Sequence, residues 1–239
     1  MSLSFSALLG RPDIWRGDSL SRAGRSFVYS VVPSGFPALD AALPGGGWPA
    51  GVLTEILPAH EGIGELRLLG PALAGISQRG LRLAWIAPPH LPYAPALAAA
   101  GIDAAKLLVV RTASHRETLW AAEQALAANA CGAVLAWPRE AQYAEFRRLQ
   151  IAAEGGRAPA FLFRLPEAAS ESSPAALRVA LGTSGGGLAV NVFKRRGTPL
   201  ARPILLPAMP PAVRGKSHVD RHSTAAAAAR DFPARLVHA

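Results

Sequence analysis

The sequence predicts an α/β domain: a mostly parallel sheet covered by helices on both faces, with an antiparallel hairpin added at one edge. Three observations carry this prediction. Short apolar runs alternate with stretches of helical spacing between residues 52 and 163. Several of those runs, such as "GAVLAWP", are almost continuously apolar, as strands buried on both faces are. The alternation then stops, and "ALRVAL" and "LAVNVFKRRG" follow one another across a glycine-rich "GTSGGG", the signature of a hairpin.

The elements follow in order. Residues 1–30 read as a short helix and a polar connector, "DSLSRAGRS". Phe36, Leu39 and Leu43 mark an amphipathic turn before a Gly/Pro break. "VLTEIL" is a strand and "ELRLLGPALAGISQRG" a helix ended by Gly80. "LRLAWIAPP" is a second strand, stopped by Pro88 and Pro89. A short helix ending at Gly101 leads to the strand "KLLVVRT". Ser114 with Glu117 three positions later is a capping box that opens "SHRETLWAAEQALAANACG" as a helix. "GAVLAWP", the helix "REAQYAEFRRLQIAAEGG" and "APAFLFR" complete the alternation. The domain is expected over 31–204. Residues 205–239, rich in proline and alanine without apolar period, read as a flexible tail.

At 239 residues the chain suits one sizeable domain rather than two. The net charge of +9 points toward an acidic partner such as nucleic acid. With only 17% charged residues, a coding bias toward arginine accounts for the excess equally well. A single cysteine, Cys131, excludes an internal disulfide and reads as a small buried hydrophobe. The amino terminus lacks a basic lead and a long apolar run, and no window is apolar enough to span a bilayer, so the expectation is a cytoplasmic protein without membrane contact.

"PAHEGIGE" lies where a phosphate-binding loop would lie, between strand and helix. Such a loop wraps phosphate in backbone N–H groups, neutralises it with lysine and holds magnesium with Ser/Thr. Here Pro58 and Ile63 replace its two glycines, Gly64 the lysine and Glu65 the hydroxyl, with His60, Glu61 and Gly62 between. Proline has no N–H to give. A carboxylate set about 4 Å from a phosphate charge costs on the order of 4 kcal/mol at an effective dielectric near 20. The acid that should end a later core strand is also missing: "CGAVLAWPRE" offers Ala136 and Trp137. No nucleotide cofactor, catalytic residue or metal is expected. His218 and His222 have helical spacing but no third ligand, and no nucleophile-elbow motif starts a serine triad.

"PSGFPALDAALPGGGWPAGVLTEI", "AWIAPPHLPYAPALAAAGIDAAKLLVVRT" and the hairpin together resemble the RecA recombinase core. More narrowly, "IWRG", "LPGGGWPAG", "GIGELRLLGPALA", "WIAPP", "LWAAEQAL", "VLAWP", "FRRLQIAAE" and "FKRRG", in that order over roughly residues 14–200, resemble the ImuA family. These are RecA-like proteins encoded with bacterial translesion-synthesis cassettes and grouped with SulA-type SOS proteins. The resemblance implies a RecA-like core and a non-catalytic accessory role in DNA-damage-induced mutagenesis. Its implied partners are an ImuB-type polymerase-like protein and an error-prone DNA polymerase, with RecA and DNA as further contacts. The alternative it leaves open is an SOS-induced inhibitor of cell division.

Against that frame, Arg147 and Arg148 are candidate DNA or partner contacts, although either alone suits an ordinary solvated helix face. Lys194, Arg195 and Arg196 form the densest basic run, at the end of a strand taken as an edge. Phosphate contact and protection of that edge from pairing fit them equally. Trp48, between glycines and proline, is the candidate surface anchor, and the other four tryptophans read as packing residues. In the tail, Phe232 and Leu236 could dock on a partner, with an inert tail equally open.

Overall fold

The computed structural model describes residues 30–207 except 139 and 199. The expected amino-terminal helix, the histidine pair at 218 and 222, and the tail anchors Phe232 and Leu236 lie outside these residues.

A two-stranded antiparallel ribbon joins β1 (Val31–Val32) to β2 (Trp48–Pro49), with the short helix α1 (Pro37–Asp40) between them. The main sheet begins at β3 (Leu53–Pro58). Then come α2 (Glu65–Gln78), β4 (Leu83–Ile86), α3 (Ala94–Ala99), β5 (Leu107–Val110), α4 (His115–Ala127), β6 (Ala133–Ala136), α5 (Tyr143–Ala153) and β7 (Ala160–Phe163). The chain finishes with β8 (Leu177–Ser184), β9 (Gly187–Lys194) and β10 (Ile204–Leu206). Eight strands form one sheet in the order β10-β9-β8-β3-β7-β6-β4-β5. Strands β3 to β8 pair in parallel, and only β8–β9 and β9–β10 are antiparallel. The fold class is the expected one.

Strand pleating divides the core. Ile56, Trp85, Leu135, Phe161 and Val179 face α1 and α2, where Leu39, Leu69, Leu73 and Ile76 are buried. Their neighbours Leu53, Ala84, Val134 and Leu162 face α4 and α5, against Ala122, Leu126, Phe146 and Leu149. Helix α4 starts as anticipated, with Ser114 Oγ accepting from the Glu117 N–H at 3.2 Å. The Glu117 carboxylate accepts from Ala113 N–H at 2.8 Å rather than from the cap residue itself.

Three expectations change. The six-residue "GTSGGG" loop shrinks to the two-residue turn Gly185–Gly186, both at positive φ (55° and 78°). That is the glycine-favoured geometry whose twist lets β8 and β9 pair up to it. Strand β9 is not an edge: β10 pairs along it, because apolar Ile204 and Leu206 find places beside Val190 and Leu188. That third strand also carries the sheet past residue 204.

Candidate functional site

The strand–loop–helix frame of a phosphate loop is present: β3 ends at Pro58, a short loop follows, and α2 begins at Glu65. Gly64 stands at the helix N-cap with φ 115°, a conformation that a lysine at this position would strain. The Glu65 carboxylate turns back over the loop. One oxygen accepts the Gly62 N–H at 3.2 Å and the other the Gly64 N–H at 3.1 Å. Loop N–H groups at a helix amino terminus are what such loops offer to phosphate. Here an acid of the chain itself takes them, and its negative charge is favoured there by the helix dipole. Removing it by Glu65→Ala should cost about 1–2 kcal/mol. Faster amide exchange at Gly62 and Gly64 would check this; unchanged exchange would contradict it.

The surroundings contain few cations. His60 is exposed, its Nδ1 3.2 Å from the Glu61 carbonyl, and Glu61 faces His90 at 3.8 Å across open surface. Beside the loop, Phe36, Ile63, Leu68 and Leu188 line a cavity of about 170 Å³ with Arg67 as its cation. The positions where an acid would hold magnesium are apolar. Strand β6 ends at Ala136, and Trp137 stacks on Phe163 with ring centres 4.5 Å apart.

The other candidates do not assemble into one site. Trp48 is not a surface anchor: it is fully buried, edge-on to Phe161 at 5.4 Å, because the β1–β2 ribbon folds it under the sheet. Conversely Trp120, read as a packing residue, is 63% exposed on the outer face of α4. Arg148 pairs with Glu123 of α4 at 2.5 Å, and Arg147 is exposed. Their neighbour Gln150 turns inward, where its Oε1 accepts from Leu53 N–H at 3.0 Å.

The basic run is also divided. Lys194 Nζ donates to the Ser173 carbonyl at 2.6 Å. Its pKa is lowered, first by burial and then by nearby Arg178. Arg195 donates to the carbonyls of Thr198 in its own loop and of Ala42, just after α1, and Arg196 is exposed. Cys131 is half-buried just before β6, and burial raises its thiol pKa.

Sequence reasoning missed a buried ionic cluster. Glu55, at the middle of β3 and fully buried, accepts from Arg178 Nε of β8 at 2.8 Å and from Ser173 Oγ. Arg164, just after β7, lies 3.7 Å from the same carboxylate and pairs with Glu171 at 2.6 Å. Arg178 further donates to the carbonyls of Ala168 at 2.6 Å and Glu171 at 3.0 Å. Each guanidinium also covers a ring, Arg164 on Phe146 at 4.4 Å and Arg178 on Phe193 at 4.9 Å. The signal was one charge inside each of "VLTEIL", "FLFRLP" and "ALRVAL"; what hid it was that only the sheet makes these strands neighbours.

The fold and this loop define a class: a mostly parallel α/β domain in which the loop between β3 and α2 has its Gly62 and Gly64 N–H groups bonded by the chain's own Glu65. Residues 51–160 match the family model "Cell division inhibitor SulA". The chain is 31% identical over 137 residues to Protein ImuA from two strains of Caulobacter vibrioides, covering 55% of this chain and 56% of those proteins. It is 33% identical over 100 residues to the cell division inhibitor SulA of Edwardsiella piscicida, covering 42% of this chain and 60% of that protein. Over these stretches the core is similar to both ImuA and SulA proteins. The aligned region spans just over half the length of the ImuA relatives. Among the described residues, no helix is long and apolar enough to cross a membrane.

Proposed function

We propose that this chain is a RecA-like accessory protein without ATPase activity that supports DNA-damage-induced mutagenesis. On this reading it is a docking body in a translesion-synthesis assembly. Its partners are a polymerase-like protein of the ImuB type and an error-prone DNA polymerase, with RecA and DNA as further contacts. The observation that carries the reading is the Glu65 carboxylate on the Gly62 and Gly64 N–H groups. A triphosphate would have to displace an anion already bonded there and bring its magnesium to apolar strand ends. Similarity to the ImuA proteins supports the damage-response role.

A gene deletion tests it: damage-induced mutation frequency should fall to the uninduced level and return with the full chain. The purified chain should release no phosphate from ATP above background. Normal induced mutation in the deletion strain, or ATP hydrolysis that Glu65→Ala alters, would overturn the reading. The SulA match over 51–160 favours a second reading, inhibition of cell division. In that case the deletion would abolish damage-induced filamentation and leave mutation frequency intact.

A further inference from the structure

Strand β5 ends the main sheet, and among the described residues nothing pairs with its outer side. It is also the most exposed strand of the parallel region. Leu108, Val109 and Val110 are 42%, 37% and 38% exposed, whereas β4, β6 and β7 are buried throughout. The Ala87 N–H donates to the Val110 carbonyl at 2.8 Å, which sets the alternation along the strand. Leu108 and Val110 turn their backbone groups toward β4, so the Val109 N–H and C=O and the Leu107 C=O face outward, while the Leu107 N–H is taken by the Ala104 carbonyl. An edge with free N–H and C=O groups and apolar side chains on both faces is a template for another strand.

The charges at its ends decide which strand. Lys106 precedes β5 and exposed Arg111 follows it, and neither enters an ion pair with a described carboxylate. A second copy pairing antiparallel must set outward-turned residues against each other, Leu107 opposite Val109 or Val109 opposite its own copy. Either register places Lys106 diagonally beside Arg111 of the other copy and brings no acid to either cation, whereas opposite-charge pairs across a ladder are stabilising. The geometry points to β5 as a docking edge for an extended partner peptide, apolar at its centre and acidic at both ends. The acids fall five positions apart, one against each cation. This rests on the reading of the chain as a docking body and identifies one surface of it.

The test uses the full chain and the labelled peptide Glu-Val-Thr-Val-Thr-Glu, with Lys-Val-Thr-Val-Thr-Lys as its opposite, in low-salt titrations. The acidic peptide should bind at least tenfold more tightly. Val109→Pro should abolish that binding, because it removes an outward N–H and leaves the ladder to β4 alone. The double variant Lys106→Glu/Arg111→Glu should reverse the preference and does not depend on how proline is tolerated. Equal or absent binding of the two peptides overturns the proposal.

Amide exchange in the free chain separates the other occupants. The Val109 amide should exchange freely at every protein concentration. Protection at low concentration means the edge is covered from within the chain, and protection growing with concentration means a second copy; either overturns the proposal. A chain that restores mutagenesis but ignores the peptide sinks the docking edge alone. One that binds the peptide but is dispensable for mutagenesis sinks the functional reading alone.

Discussion

Glu55→Ala should destabilise the domain by about 3–5 kcal/mol, the usual cost of removing one partner from a buried ion pair. The Glu55 carboxylate is fully buried and is the counter-charge for both Arg164 and Arg178, themselves almost wholly enclosed. Without it two guanidinium groups stay in the interior, with Glu171 at the rim as their nearest acid. Unfolding in urea measures the loss; a change below about 1 kcal/mol would show that the arginines find other partners or water. Replacing Glu55, Arg164 and Arg178 together with apolar residues of similar volume should be close to neutral, since the penalty lies in the orphaned charge. The pair of experiments separates charge burial from packing.

Trp48→Ala should cost a similar amount, about 3–5 kcal/mol, by a different mechanism. The indole is fully enclosed beneath the sheet and contacts Phe161 edge-on, so truncation leaves a cavity that a well-packed interior closes only in part. In a chain of this size that corresponds to a fall in melting temperature on the order of 10 °C. Trp120→Ala on the outer face of α4 should change stability by no more than about 0.5 kcal/mol. A partner contact at Trp120 would appear as lost binding without lost stability. If Trp48→Ala melts like the parent chain, its burial under the β1–β2 ribbon is wrong.

The contrast between these tryptophans shows where local reading stops. Trp48 lies in "GGGWPAG", a setting of glycine and proline that suggests surface, while Trp120 lies in an amphipathic helix that suggests packing. Each expectation used only neighbours in sequence. Burial depends on what crosses over the residue: Trp48 is covered because β1 pairs with its strand, and Trp120 falls on the side of α4 away from the sheet. The basic run at 194–196 behaves in the same way. Its local charge density is real, but Lys194 reaches the Ser173 carbonyl and Arg195 that of Ala42, contacts made by distant segments.

What the sequence determined by itself was the succession of elements and a loop before α2 that carries Gly64 and Glu65 and no lysine. Periodicity, caps and turn residues act over a few positions, so they are written in short stretches of the chain. Only the tertiary structure decided the side-by-side order of strands, and with it three further features. These are the union of Glu55, Arg164 and Arg178, the placement of β10 beside β9, and the exposure of β5 with a cation at each end. The physical reason is that pairing and desolvation join residues far apart along the chain, and no local pattern records which ones meet.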